Sequence, residues 1–251
     1  MDFMIAKLLG FAMVLTRVSA FFLITPVFSW RSLPRRIKVA MTVLISVFFA
    51  MMGPNPIREP EVAPFKAILL LSNEAIYGLA LGLIVALVFA SVKFGARIVE
   101  QQMGLTMAEI LDPMTGENSQ PLGMFMEMIF ILLFLSANGH HLLLLILARS
   151  YDAFPAGTTP TIPVLVDGVV EAGSTLMIAG LRLAAPILAA FLLLMVALAV
   201  LARVAQEMNI LFISLPLRVG LGLLMVTLLF IPFLQGFVGE FADMMAKLLP
   251  L

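Results

Sequence analysis

The chain predicts an all-α integral membrane fold of helical hairpins with kinked or broken helices, and three observations lead there. Hydrophobic residues fill 62% of its 251 positions, and the mean hydropathy is +1.13, well above a soluble norm of roughly half apolar. Six apolar runs reach or approach the roughly 20 residues that a helix needs to cross a hydrocarbon core of about 30 Å. No polar stretch between them could form a soluble domain, so residues 1–251 read as a single membrane-embedded domain.

The first run, residues 3–28, is too long for a signal-peptide core and ends without a small-residue cleavage site, so it is expected to be retained. The second, 37–53, is shorter and stops at the breaker cluster Gly53-Pro54-Asn55-Pro56. The third spans 68–92. Residues 93–123 follow it, amphipathic at first, then turning at Asp112-Pro113 and Thr115-Gly116 before Pro121-Leu122-Gly123. These are turn signals, so a helix end and a structured loop are expected. Leu105, Met107, Ile110, Leu111 and Met114 make that loop too apolar for water.

The fourth run is 125–147. Residues 154–170, with Pro155, Gly157, Pro160 and Pro163, read as an extended outer loop. The fifth run, 175–201, contains Pro186, and the sixth, 210–238, contains Pro216 and Pro232. Proline removes a backbone donor, so kinked or split helices are expected there. Gln206-Glu207-Met208-Asn209 joins these two runs as a tight turn. Basic residues orient the whole: Arg31, Arg35, Arg36 and Lys38 stand without an acid in the first connection, Lys93 and Arg97 in the third, Arg203 in the fifth. Those connections are expected in the cytoplasm, with the N-terminus outside.

Several function classes are disfavoured. Lys+Arg and Asp+Glu balance at 15 each, which gives no electrostatic case for a nucleic-acid partner. Zero cysteines exclude disulfides, Cys-ligated zinc and iron–sulfur clusters. No nucleotide loop, nucleophile–base pair or flavin or NAD fingerprint occurs, so neither catalysis nor a cofactor is expected. His140-His141 are the two histidines. Neighbouring histidines point in different directions on a helix and no second ligand pair accompanies them, so hydrogen bonding at the interface explains them better than a metal.

Arg17, Glu74, Glu127 and Arg182 are ionisable residues that fall inside apolar runs. A charge in hydrocarbon is costly, so such residues pair, meet another subunit or line a polar path. Arg17 with Glu74 is one such pairing, while Glu127 lies near enough to an end of its run to snorkel. Glu74, Gly78, Gly82, Ala86 and Ala90 recur every four residues and share a helix face. Small side chains there let another backbone approach closely, within the chain or from a neighbour. The 18 methionines, several at Met103, Met107, Met114, Met124, Met126 and Met128, suit a deformable seal as well as ordinary membrane packing.

In order and spacing, these residues resemble the FliR/SctT family of the type III secretion export gate, and its flagellar branch more closely. The resemblance runs from Arg17, Pro26-Val27-Phe28-Ser29 and Pro34-Arg35 through Glu74, Gly78, Gly82, Gln102 and Gly104. It continues through Asp112-Pro113, Thr115-Gly116 and Pro121, Gly139-His140-His141 and Phe154-Pro155. It ends with Ala185-Pro186, Met208-Asn209-Ile210 and Pro216-Leu217. One departure is Ala205-Gln206-Glu207, where the family often has a proline before the turn.

The resemblance implies one copy of this chain among several FliP-like and FliQ-like subunits. Together they would form a closed helical pore of the flagellar basal body in the bacterial inner membrane, raised toward the periplasm. Other export-apparatus membrane proteins would adjoin it, and unfolded export substrates would pass through. A channel plug would fall at about 104–123, including Gly104, Met107, Ile110, Leu111, Asp112, Pro113, Met114, Thr115, Gly116 and Pro121. Arg17, Glu74, Gly78, Gly82 and Arg182 would serve subunit or helix packing. The rival readings are a secondary transporter or small channel binding an ion or solute at Glu74 and Arg182, and an intramembrane enzyme using His140, His141 and Glu127.

Overall fold

The computed structural model describes residues 2–29, 34–52, 64–105, 120–158, 162–205 and 210–230, with 232, 236 and 237. It is helical, with no strand among the described residues. Helix α1 (Asp2–Ile24) stops where Pro26 begins the single turn α2 (Pro26–Ser29), and Thr25 bridges them by donating its hydroxyl to the Phe21 carbonyl at 2.8 Å. Helix α3 (Arg35–Met52) follows Pro34, and its first turn carries Arg35, Arg36 and Lys38. Helix α4 (Pro64–Met103) runs for 40 residues from a proline whose missing N–H would have had no intrahelical partner. Gly104, at φ +79°, ends it: the Gly104 N–H reaches the Gln101 carbonyl and the Leu105 N–H the Glu100 carbonyl, both at 3.2 Å. That is a Schellman stop.

The apolar run expected at 125–147 is divided between helices α5 (Pro121–Ser136) and α6 (Gly139–Ala153), which meet at a bend of 76°. Asn138 sits in the left-handed region at φ 60° and ends the run's helical path in its middle. Asparagine tolerates that conformation better than other residues with a side chain. Helix α7 (Ile162–Val204) replaces most of the extended loop expected at 154–170. Pro163 lies in its first turn, where N–H groups lack intrahelical partners in any case. Of the kink or split expected at each proline, a split does not occur at Pro186 or Pro216: α7 and α8 (Ile210–Met225) pass through both, and α8 continues into the π-helical turn Val226–Phe230. The breaker cluster at 53–56 and the turn at 206–209 lie outside the described residues.

Among the described residues, Lys7–Ile24, Pro64–Met103, Ile162–Val204 and Phe212–Leu229 are long and apolar enough to cross a membrane, and the pair Pro121–Ser136 and Gly139–Ala153, bent by 76°, adds a fifth if it forms one broken span, against six expected.

The chain divides into two compact units, with divisions inside α4, between α5 and α6, and inside α7. The first gathers the described residues of Met1–Val88 and Asn138–Gly173. Its core holds Met13, Val18, Phe21, Tyr77, Leu81, Val85, Leu143 and Leu147, and α1 packs on α3. The second gathers those of Phe89–Ala137 and Ser174–Phe241. Its core is an aromatic cluster in which Phe89 meets the edges of Phe130 and Phe134 at 5.1 Å, backed by Met126, Leu183, Ile187 and Phe191.

Candidate functional site: a buried ion pair and a helix start capped in trans

In the first unit α1 supplies Arg17 and α4 supplies Glu74, both with fully buried side chains. Arg17 Nε donates to Glu74 Oε2 at 2.6 Å. Its Nη1 donates to the Ser150 carbonyl at 3.2 Å and, with Nη2, to the Phe154 carbonyl at 3.0 Å. Those carbonyls belong to the C-terminal turn of α6, the negative end of a helix dipole and a favourable place for a cation. The guanidinium also lies 4.9 Å from the Tyr77 ring centre and 4.2 Å from that of Tyr151, positions suited to cation–π attraction. The other glutamate oxygen, Oε1, accepts the Gly157 N–H at 2.9 Å, and Gly157 reaches it from a positive φ of 85°. One ion pair therefore fastens α1, α4 and the turn after α6.

The glycine ridge of α4 makes this approach possible. A Cβ on Gly78 would strike the Arg17 carbonyl and come within 2.7 Å of the Ala20 Cβ, and one on Gly82 would come within 3.0 Å of the Phe21 carbonyl. Both contacts are to α1. Where the chain spans hydrocarbon, close backbone packing of this kind is the main source of helix attraction.

The second unit shows a device that sequence reasoning missed. Glu100, 1% exposed, sends Oε1 to the backbone N–H groups of Leu122 at 2.6 Å and Gly123 at 3.1 Å. Pro121 opens α5, and the preceding Gln120 makes no side-chain cap bond. Glu100 thus performs from α4 the service an N-cap residue normally performs locally, with its charge at the positive helix end. Its own carbonyl closes the Schellman stop at Gly104. One residue holds both ends of the connection between α4 and α5. Its Oε2 is buried without a hydrogen-bond partner among the described residues. The surface-exposed pair Lys93–Glu127, at 3.6 Å with side chains 42% and 30% exposed, lies beside the same helix start and contributes little.

Of the residues expected to form a plug, Gly104 and Pro121 stand at the two ends of this connection, while Met107, Ile110, Leu111, Asp112, Pro113, Met114, Thr115 and Gly116 lie outside the described residues. Arg182 is exposed on α7 and makes no hydrogen bond or ion pair among the described residues. The rings of His140 and His141 stand 4.2 Å apart, and His141 lines an apolar groove with Leu44, Phe48 and Leu145. No group of three or more potential metal ligands forms among the described residues. Ser150, Phe154 and Gly157 escaped sequence reasoning because they act mainly through backbone atoms, which carry no signal of residue type.

Residues 8–244 match a family described as bacterial export proteins, family 1. The chain is 33% identical over 238 residues to the flagellar biosynthetic protein FliR of Escherichia coli (strain K12), covering 94% of this chain and 90% of that protein. It is 30% identical over 224 residues to the FliR of Bacillus subtilis (strain 168), with coverages of 86% and 84%. A Yop proteins translocation protein T from Yersinia pestis is 28% identical over 232 residues, with coverages of 90% and 88%.

Proposed function

The chain belongs to the bacterial export proteins, family 1, and from that membership we propose that it is a subunit of the flagellar type III protein export gate in the bacterial inner membrane. In this reading one copy joins FliP-like and FliQ-like subunits in a closed pore through which unfolded flagellar proteins leave the cell. Its role is structural. The observation that carries the reading is the extent of the match: similarity to a flagellar biosynthetic protein and to a Yop translocation protein spans nearly the whole chain. A secondary transporter or small channel binding a solute at buried charges is not favoured, since Glu74 is already consumed by Arg17 and Gly157.

The physical demand on such a gate is to stop ions while admitting unfolded chains of varied sequence. An apolar constriction excludes water and ions by dewetting, and flexible methionines suit a seal that must re-form. In this reading the connection 104–123 is the plug, with Glu100 anchoring both ends. The test uses cells that lack the chain and receive it back whole or without residues 111–121. The whole chain restores secretion of flagellar proteins. The shortened chain assembles but raises ion conductance of the membrane. Secretion that never depended on the chain would refute the export role, and unchanged conductance would refute the plug.

A further inference from the structure

Arg182 presents a problem that the described residues do not solve. It sits within a 43-residue apolar helix, exposed, with no anion or acceptor among the described residues. Four residues on, Pro186 has no N–H to give, so the Arg182 carbonyl lacks the donor an α-helix would supply. A cation with no partner among the described residues and a carbonyl with no i+4 donor therefore share one turn. The face that carries them, Ile178, Arg182, Ala189, Leu193, Val196 and Val200, repeats at helical spacing and is exposed throughout. The opposite face is taken: Gly180 packs so closely on α4 that a Cβ there would lie 2.9 Å from the Ser91 carbonyl.

We propose that this face of α7 docks a membrane helix of a different neighbouring subunit, which presents an aspartate or glutamate to Arg182. The inference rests on the export-gate reading and names the chemistry of one partner within it. Charge complementarity selects the occupant, because an uncompensated guanidinium among apolar side chains is costly and a carboxylate answers it with two parallel hydrogen bonds. A second copy of this chain does not fit. Two copies inserted with one orientation and packed through this same face bring equal positions to equal depth, so Arg182 would face Arg182. Of the other described carboxylates in apolar segments, Glu74 holds Arg17, Glu100 caps α5 and Glu127 pairs with Lys93, while Asp167 and Glu171 precede Arg182 on α7 by about 16 Å or more along the axis.

The test co-expresses the chain with its gate partners, places a benzophenone side chain at Val196, and maps the cross-linked peptide. Arg182→Glu, Arg182→Lys and Arg182→Leu are compared by the yield of intact hetero-complex. The expected peptide comes from a membrane helix of another subunit and carries an aspartate or glutamate. Arg182→Glu lowers the yield about tenfold or more, Arg182→Lys stays within about threefold of the parent, and changing the partner carboxylate to lysine restores Arg182→Glu. That rescue also shows that the variant folds. Three results overturn the inference: cross-links to lipid alone with Arg182→Leu assembling as the parent does; cross-links to a second copy; or rapid labelling of Arg182→Cys by a soluble maleimide in the intact complex. The last is clean because the parent contains no cysteine. If the parent forms no hetero-complex, the export-gate reading itself falls. If parent and Arg182→Glu assemble alike, only this inference does.

Discussion

Arg17 and Glu74 are buried together, and each is expensive to bury alone. Removing two charges from water costs several kcal/mol per ion, and Coulomb attraction recovers it only with good geometry and satisfied remaining atoms. Here the remaining atoms are satisfied: the second glutamate oxygen takes the Gly157 N–H, and the guanidinium ends take the Ser150 and Phe154 carbonyls. The pair therefore holds the fold mainly through what its loss would strand. Arg17→Leu leaves a buried carboxylate without its counter-charge, and Glu74→Leu a buried guanidinium without its own, each costing about 3–5 kcal/mol. The double variant Arg17→Leu/Glu74→Leu strands backbone groups but no charge. It should be clearly more stable than the sum of the single losses predicts, as read from thermal unfolding of the purified protein in mild detergent. Strictly additive losses would show that the two side chains act independently.

At the scale of elements, two crossings rest on small residues and two prolines leave their helices unbroken. Gly78 lies against the backbone of α1, which cannot yield as a flexible side chain can. Gly78→Ala should therefore part α1 from α4 and cost about 1–3 kcal/mol. Gly220 is interior to α8 with nothing within 4 Å of an added Cβ. Gly220→Ala should be neutral or stabilise by up to about 1 kcal/mol, because alanine loses less backbone entropy in a helix. A thermal shift of the same sign for both would contradict the packing described. The face of α4 was legible because a four-residue repeat of small side chains after Glu74 has one simple helical meaning. The break at Asn138 was not, since residues 125–147 contain no proline and read as one apolar run. Continuity through Pro186 was equally hidden, because whether a proline splits a helix depends on neighbours that restore its lost bonds. Glu100 was invisible as a cap for a related reason: its partners are amides 22 and 23 residues ahead. The segment proposed as a plug stood out by its apolar composition and turn signals, and of it 106–119 lies outside the described residues.

For the whole molecule, the uneven covering of its apolar helices matters most. The most apolar 18-residue window of α4 has 56% of its residues buried, against 28% in α7 and 17% in Phe212–Leu229. Helices so bare suit a chain that finishes its packing against lipid and neighbouring subunits, and the exposed Arg182 argues that not all of that surface meets lipid. Membership in the bacterial export proteins gives those neighbours a context, and the asymmetry of α7 argues against a partner identical to itself. The most direct measurement is native mass spectrometry of the tagged chain, purified in mild detergent with and without the FliP-like and FliQ-like candidates co-expressed. The account predicts a hetero-complex with a single copy of this chain among several copies of each partner. A stable monomer or homodimer that ignores both partners would contradict it.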